Sequence, residues 1–188
     1  MPYSLVCVDQ LVSAQPGLEP QSSDYLTASR VWACNVFFDV CSKHGYGFMM
    51  SNTNLDQTLQ EKYLFERELF KHWVKVKACR AENGRFAEIC FKNEVDRCNQ
   101  TISFCGVGAH VHNKTIERCI RKITTRSQII ISHAKRFWNE AITRMLWPFA
   151  FSDAMHLKKT LTLDASGRTP LQKLTATDSP IILKDQHT

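Results

Sequence analysis

Three carboxylates stand where strands, turns and helices are expected to meet. Asp9 follows the apolar run Tyr3 to Val8, Glu82 opens the turn Glu82-Asn83-Gly84, and Glu117 lies near the start of a long basic helix. Hard cations such as Mg²⁺ prefer oxygen ligands. Phosphoryl transfer by a metal pair needs carboxylates that hold two ions roughly 3.5–4 Å apart, one serving the attacking oxygen and one the leaving oxygen. Asp9, Glu82 and Glu117 form such a set only if the fold brings them together. Spacing alone does not single them out, because 18 acidic residues offer many triples and most acids are solvated surface groups.

Beside Glu117, the residues Lys114, Arg118, Arg121, Lys122 and Arg126 recur at helical spacing and define a basic strip along one side of the helix. Turned toward nucleic acid, the strip neutralises phosphates without reading sequence. Turned toward solvent, it is an ordinary charged face in which Glu117 and Arg121 pair one turn apart. His110 and His112 have no Cys or His partner at zinc-site spacing, so no zinc is expected. Asp39, at the end of a strand, is read as fixing the following turn. Eight cysteines without a C-x-x-C pair, several inside apolar runs, read as buried, reduced thiols. Phe37, Phe38, Phe65, Phe70, Phe137, Trp138, Trp147 and Phe149 are expected in the core.

The elements that must position these residues follow from periodicity. Tyr3 to Val8 reads as a strand, and the polar stretch from Gln10 to Ser29, with Pro16, Gly17 and Pro20, as a loop. Val31 to Phe38 and Tyr46 to Met50 read as an antiparallel hairpin. Asn54, with Gln57 three positions on, is placed to cap a helix from Leu55 to about His72. Val74 to Ala78 alternates as a strand with one wet face, Phe86 to Cys98 suits a helix, and Thr101 to Cys105 another strand. Ile116, Cys119, Ile120, Ile123, Ile130, Ala134 and Phe137 form the apolar stripe of the long helix. A last helix from Glu140 to His156 is expected to be kinked by Pro148. The expected organisation is one domain, residues 1–160, followed by an extended tail over 161–188.

With 188 residues, 44% of them hydrophobic, the chain is long enough for one filled core. A net charge of +6 favours an anionic partner without naming it. The start MPYSLVCVDQ lacks a basic segment leading into a long apolar one, and no stretch reaches membrane-span length. A soluble, non-secreted protein of the nucleus or cytoplasm is expected, with no membrane partner. The triplets Asn99-Gln100-Thr101 and Asn113-Lys114-Thr115 are then taken as chance.

Read as motifs, VCVDQ, FFDVCSKHGYGFM, RAENGRFAE, SFCGVGAHVHNKTIERCIRKI and LWPFAF with the later GRTPLQKL occur in the order found in copia-type retrotransposon integrases. The sequence resembles that family over nearly its whole length, from about Leu5 to Leu174. The resemblance implies an α/β, ribonuclease-H-like fold of the retroviral integrase superfamily: a five-stranded mixed sheet, three strands antiparallel plus two parallel, flanked by helices. It implies that Asp9, Glu82 and Glu117 are the catalytic, metal-binding acids of a two-metal Mg²⁺ or Mn²⁺ site, with Glu117 standing 35 positions after Glu82. It implies DNA as partner, metal-dependent strand transfer as the reaction and a homodimer as the assembly. The terminal domains that usually accompany such cores, including a zinc module, are expected to be missing from this sequence.

Two positions depart from the family pattern. Glu82 replaces the Asp of a D-N-G turn, which moves the carboxylate by one methylene, and a misplacement of about 1 Å at a reacting centre can cost about 100-fold in rate. Lys114 replaces the Gly that follows Asn in the loop before the catalytic Glu, where glycine would take positive φ without strain. Lys114 also lies three positions before Glu117 and is placed to pair with it or to grip a phosphate. These departures keep a second reading open, a catalytically inactive transposon-derived module that binds nucleic acid or a protein. A hydrolytic nuclease of the same fold is a third, against which the CGVGAHVHN string argues.

Overall fold

A computed structural model describes residues 3–19, 29–105 and 114–176. Five strands, β1 (Tyr3–Leu18), β2 (Arg30–Asp39), β3 (Gly45–Met50), β4 (Lys75–Ala81) and β5 (Thr101–Phe104), form one sheet in the order β3-β2-β1-β4-β5. The pairs β1–β2 and β2–β3 are antiparallel, and β1–β4 and β4–β5 are parallel. A tight turn suffices between antiparallel neighbours, whereas each parallel pair needs a crossover. The crossovers are α1 (Leu55–Phe70), ahead of β4, and α2 (Ile89–Arg97), between β4 and β5. Three further helices follow: α3 (Lys114–Phe137), α4 (Trp147–Leu161) and α5 (Pro170–Thr175).

Alternation along β1 builds two cores on the two faces of the sheet. Val6 and Val8 join Phe65 and Leu69 of α1 and Phe91 and Val95 of α2. Cys7 points the other way and joins Ile116, Cys119 and Ile123 of α3 and Phe151, Ala154 and Met155 of α4. Burying the apolar stripe of α3 on that second face leaves its basic side in solvent.

The first strand is longer than the sequence suggests. Beyond Asp9 it keeps pairing with β2 (Gln10 with Asn35, Leu11 with Cys34, Val12 with Ala33), breaks register, and resumes at Gly17 with Val31 and Leu18 with Arg30. Pro16 falls in the register break, where a missing amide hydrogen removes no ladder bond. Gly17 marks a close approach: a Cβ there would lie 2.6 Å from Trp147 Nε1 and against the Pro148 ring. The strand therefore accepts the start of α4 directly.

Other differences have equally local causes. The Asn54 side chain accepts from the Gln57 amide at 3.1 Å, but the Gln57 side chain reaches Met49 O instead of closing a capping box. The helix expected over Phe86 to Cys98 divides at Glu88, which is extended, into a 3-10 turn at Arg85–Ala87 and α2. Pro148 does not kink a helix. It sits in the first turn of α4, where its absent N–H is no loss, and a 3-10 turn at Arg144–Leu146 leads in. The stretch from 161, expected as an extended tail, contains α5, whose Thr169 and Gln172 form a reciprocal capping box and whose Leu174 is buried in the core with Phe37 and Phe65. The rest of that expected tail, 177–188, lies outside the described residues.

Burial corrects two composition-based expectations. Cys7, Cys34, Cys79, Cys105 and Cys119 are buried, but Cys41 and Cys90 are exposed and Cys98 is intermediate; all eight are free thiols. Phe37, Phe38 and Phe65 are core residues, whereas Phe70, Phe137, Trp138 and Phe149 are exposed. Helical spacing shows that such residues share a stripe, and which helix or solvent the stripe meets is set by the packing. Among the described residues no helix is long and apolar enough to cross a membrane.

Candidate active site

The parallel register between β1 and β4 sets Val8 opposite Ala81, the last residue of β4. Asp9 and Glu82 each follow that last pair in the chain, so Glu82 leaves the strand end near Asp9. Val8 and Ala81 face the core under α1 and α2; by alternation Asp9 faces the opposite side, toward α3. There Ile116 and Cys119 pack with Cys7, and Glu117 follows Ile116 in the first turn of α3. Three separate elements thus deliver the three predicted acids to one end of the sheet.

Their nearness is recorded in the ionisation of Asp9. Burial pushes its carboxyl up to about 6, the charges of Glu82 and Glu117 push in the same direction, and the Gln10 amide, donating to Oδ1 at 2.8 Å, opposes them. Cys105, just past β5, is also raised, first by burial, and it too feels Glu82, Glu117 and Asp9, with Arg80 acting the other way. Glu82 is exposed, while Asp9 and Glu117 are half-buried.

Residues that sequence reasoning passed over hold this geometry. Asn83 Nδ2 donates to Cys105 O at 3.2 Å, and the Cys105 amide donates to Ala81 O at 3.1 Å, so the Glu82 turn is tied to the end of β5. Gly84 turns the chain at φ 134°, a conformation that L side chains rarely adopt. On the other face of β1, Gln10 Nε2 donates to Asn35 Oδ1 at 3.0 Å. Asn35 Nδ2 in turn donates to Glu61 Oε2 at 2.7 Å and Thr58 Oγ1 at 3.3 Å. Gln10 therefore binds Asp9 with its backbone, and its side chain is tied to α1 through Asn35. A lone Gln in an expected loop gives no hint of that; alternation on an extended strand would.

An all-carboxylate donor set suits a hard divalent cation, and mutual repulsion of the kind seen at Asp9 is what such a cation relieves. As the side chains stand they are more open than a bound ion requires: among the described residues no three His, Cys, Asp or Glu side chains gather closely enough to hold a metal. The donors fit in kind, and the set would have to draw together to hold an ion.

Lys114, Arg118, Arg121, Lys122 and Arg126 are all exposed along α3. Among the described residues no ion pair joins Glu117 to Lys114 or Arg121, so neither expected helical pairing forms. Asp39 has the turn role expected of it, its Oδ2 accepting from the Ser42 amide at 2.7 Å and the Ser42 hydroxyl at 2.6 Å. His110, His112 and Asn113 lie outside the described residues.

No protein-family model and no curated protein matches this sequence. Solved structures do. The HTLV-2 integrase catalytic core domain in complex with magnesium, in its trimeric form, aligns with a TM-score of 0.60 over 92% of this chain and 96% of that one, at 15% identity. The chain has the fold of a retroviral integrase catalytic core. The BIV integrase core aligns with a TM-score of 0.59 over 89% and 91% of the two chains at 16% identity. A chain of the simian T-cell lymphotropic virus intasome in complex with PP2A regulatory subunit B56 gamma gives 0.65 at 14% identity; 97% of this chain covers 58% of that one. At these identities the integrase core fold is what is shared, including the ribonuclease-H-like sheet of three antiparallel plus two parallel strands.

Proposed function

We propose that this chain is the catalytic core of a copia-type retrotransposon integrase, which nicks element ends and joins them to target DNA with Mg²⁺ or Mn²⁺. The observation that carries the proposal is the convergence of Asp9, Glu82 and Glu117 from β1, the end of β4 and the start of α3, felt as charge repulsion at Asp9. These three would hold the cations, and when bound the cations supply Lewis-acid activation of the attacking and leaving oxygens. The chain's own residues do the rest. The Gln10 amide fixes the rotamer of Asp9, Asn83 holds the Glu82 turn, and Lys114, Arg118, Arg121, Lys122 and Arg126 bind backbone phosphates beside the site without reading bases.

A second reading has a specific observation behind it. Glu82 is exposed and one methylene longer than Asp, and the acids stand open. A module that binds nucleic acid through α3 and catalyses nothing fits those facts. Nicking and strand transfer on labelled duplex DNA, with Mg²⁺ or Mn²⁺, separate the two readings. Activity of the native chain that Glu117→Gln abolishes is expected for an integrase core. Silence of the native chain with activity in Glu82→Asp identifies a disarmed core, and silence of both leaves the binding module. A homodimer and a nuclear or cytoplasmic location belong to the proposal. The HTLV-2 core is known in dimeric and trimeric forms, and sedimentation of this chain tests the assembly.

A further inference from the structure

A cavity of about 380 Å³ lies between α3, the turn from β2 to β3 and the segment joining α4 to α5. Its size falls within the ~300–1,000 Å³ of ordinary ligand pockets, but its lining does not resemble theirs. Lys43, Arg118, Lys122, Lys158, Arg168 and Lys173 all border it. Among the described lining residues the one carboxylate, Asp164, is engaged by Lys173. Lys43, Lys122 and Lys158, gathered here with Arg118, repel one another, and an anion among them would relieve that repulsion.

Two details fix the cations in place. Lys158 Nζ lies 4.7 Å from the centre of the Phe38 ring and donates to Lys43 O at 2.8 Å, so its ammonium is held and not free to swing into solvent. Burial lowers the Lys158 pKa, Cys119 offsets this, and Lys122 and Lys43 lower it further, which is the like-charge crowding seen from one member. Lys43 itself has φ 63°, where glycine or asparagine would be less strained. A lysine at that position spends conformational energy to put a charge at the cavity mouth, and the hydroxyls of Thr115 and Thr162 add donors beside it.

We propose that this cavity is an anion site that seats phosphate groups, distinct from the carboxylate site and independent of whether that site is catalytic. Phosphate fits because its several oxygens accept from ammonium, guanidinium and hydroxyl donors converging from three directions. Two sources carry this chemistry, a free polyphosphate and a DNA backbone that continues from Arg118 and Lys122.

Calorimetric titration with inorganic tripolyphosphate, without divalent cations and at fixed ionic strength, tests the site. Three variants are compared with the native chain: Lys43→Gly, which removes the charge while relieving the φ strain, Arg168→Ala, and Lys75→Ala, whose exposed residue on β4 does not line the cavity. Saturable binding is expected, weakened about tenfold by Lys43→Gly and by Arg168→Ala and unchanged by Lys75→Ala. No binding overturns the proposal, and so does equal weakening by all three variants, which would mean diffuse charge attraction. Repeating the titration with duplex DNA identifies the source. Weakening by the cavity variants names the backbone, and unchanged DNA affinity names a free polyphosphate. Neither readout uses strand transfer, so failure of the site and failure of the integrase reading are told apart.

Discussion

Glu61 is only 4% exposed, with Oε2 accepting from Asn35 and Oε1 without a hydrogen-bond partner among the described residues. Burial pushes its pKa up to about 8, against the pull of the Asn35 hydrogen bond. The folded value lies above the ordinary carboxyl value of 4.5, so the native state holds the proton more tightly than the unfolded chain does. The stabilisation from the neutral acid is complete below about pH 4.5 and is lost as pH rises toward 8. Glu61→Gln keeps an acceptor for Asn35 and cannot ionise. It is expected to melt above the native protein at pH 7.5, by the equivalent of a few kcal/mol, and to match it near pH 5. Thermal unfolding at the two pH values checks this, and a variant that melts lower at pH 7.5 would show a charged and compensated Glu61. In the sequence Glu61 looks like any charged residue on a helix, since its burial depends on Asn35 from a distant strand. Asp9 and Asp39 were legible because each sits next to a recognisable break in apolar pattern.

Among the elements, α3 answers most directly to its sequence. Its 24 residues, about 36 Å of helix, bury Ile116, Cys119, Ile123 and Ser127 and leave the basic strip exposed. What periodicity did not settle was whether Glu117 would be neutralised by its helical neighbours, and no such pair forms among the described residues. If the strip binds DNA, each cation that neutralises one phosphate adds about 0.9 to the slope of log affinity against log salt. The double variant Arg121→Ala/Arg126→Ala is expected to flatten that slope by nearly 2 while shifting stability by less than about 0.5 kcal/mol per site. Fluorescence anisotropy of a labelled duplex across a salt series measures the slope; an unchanged slope would place DNA elsewhere. Less legible were elements whose limits are set by partners. β1 runs past Pro16 because β2 is there to pair with it, and the start of α4 at Trp147 and Pro148 packs against β1 because Gly17 lets the chain approach.

For the molecule as a whole, the sheet divides two cores, and the carboxylates lie where its parallel strands end beside the helix of the second core. That arrangement was legible from element order and from resemblance, because both report connectivity. The fate of the chain after residue 161 was not, since Thr-, Ser- and Pro-containing sequence marks loops and helix starts alike. Here Thr169 caps α5 and Pro170 opens it, so Leu174 is carried into the core that holds Phe37 and Phe65. If α5 is an integral part of the domain, Leu174→Ala leaves a cavity in that core and costs about 2–5 kcal/mol. At this chain length each kcal/mol moves the melting point by about 2–4 °C, so a fall on the order of 10 °C in one cooperative transition is expected. A change below about 1 °C would mean that α5 rests on the domain without belonging to it, and that cooperative packing ends with α4. A second, earlier transition would mean instead that α5 and its neighbours unfold as a unit of their own.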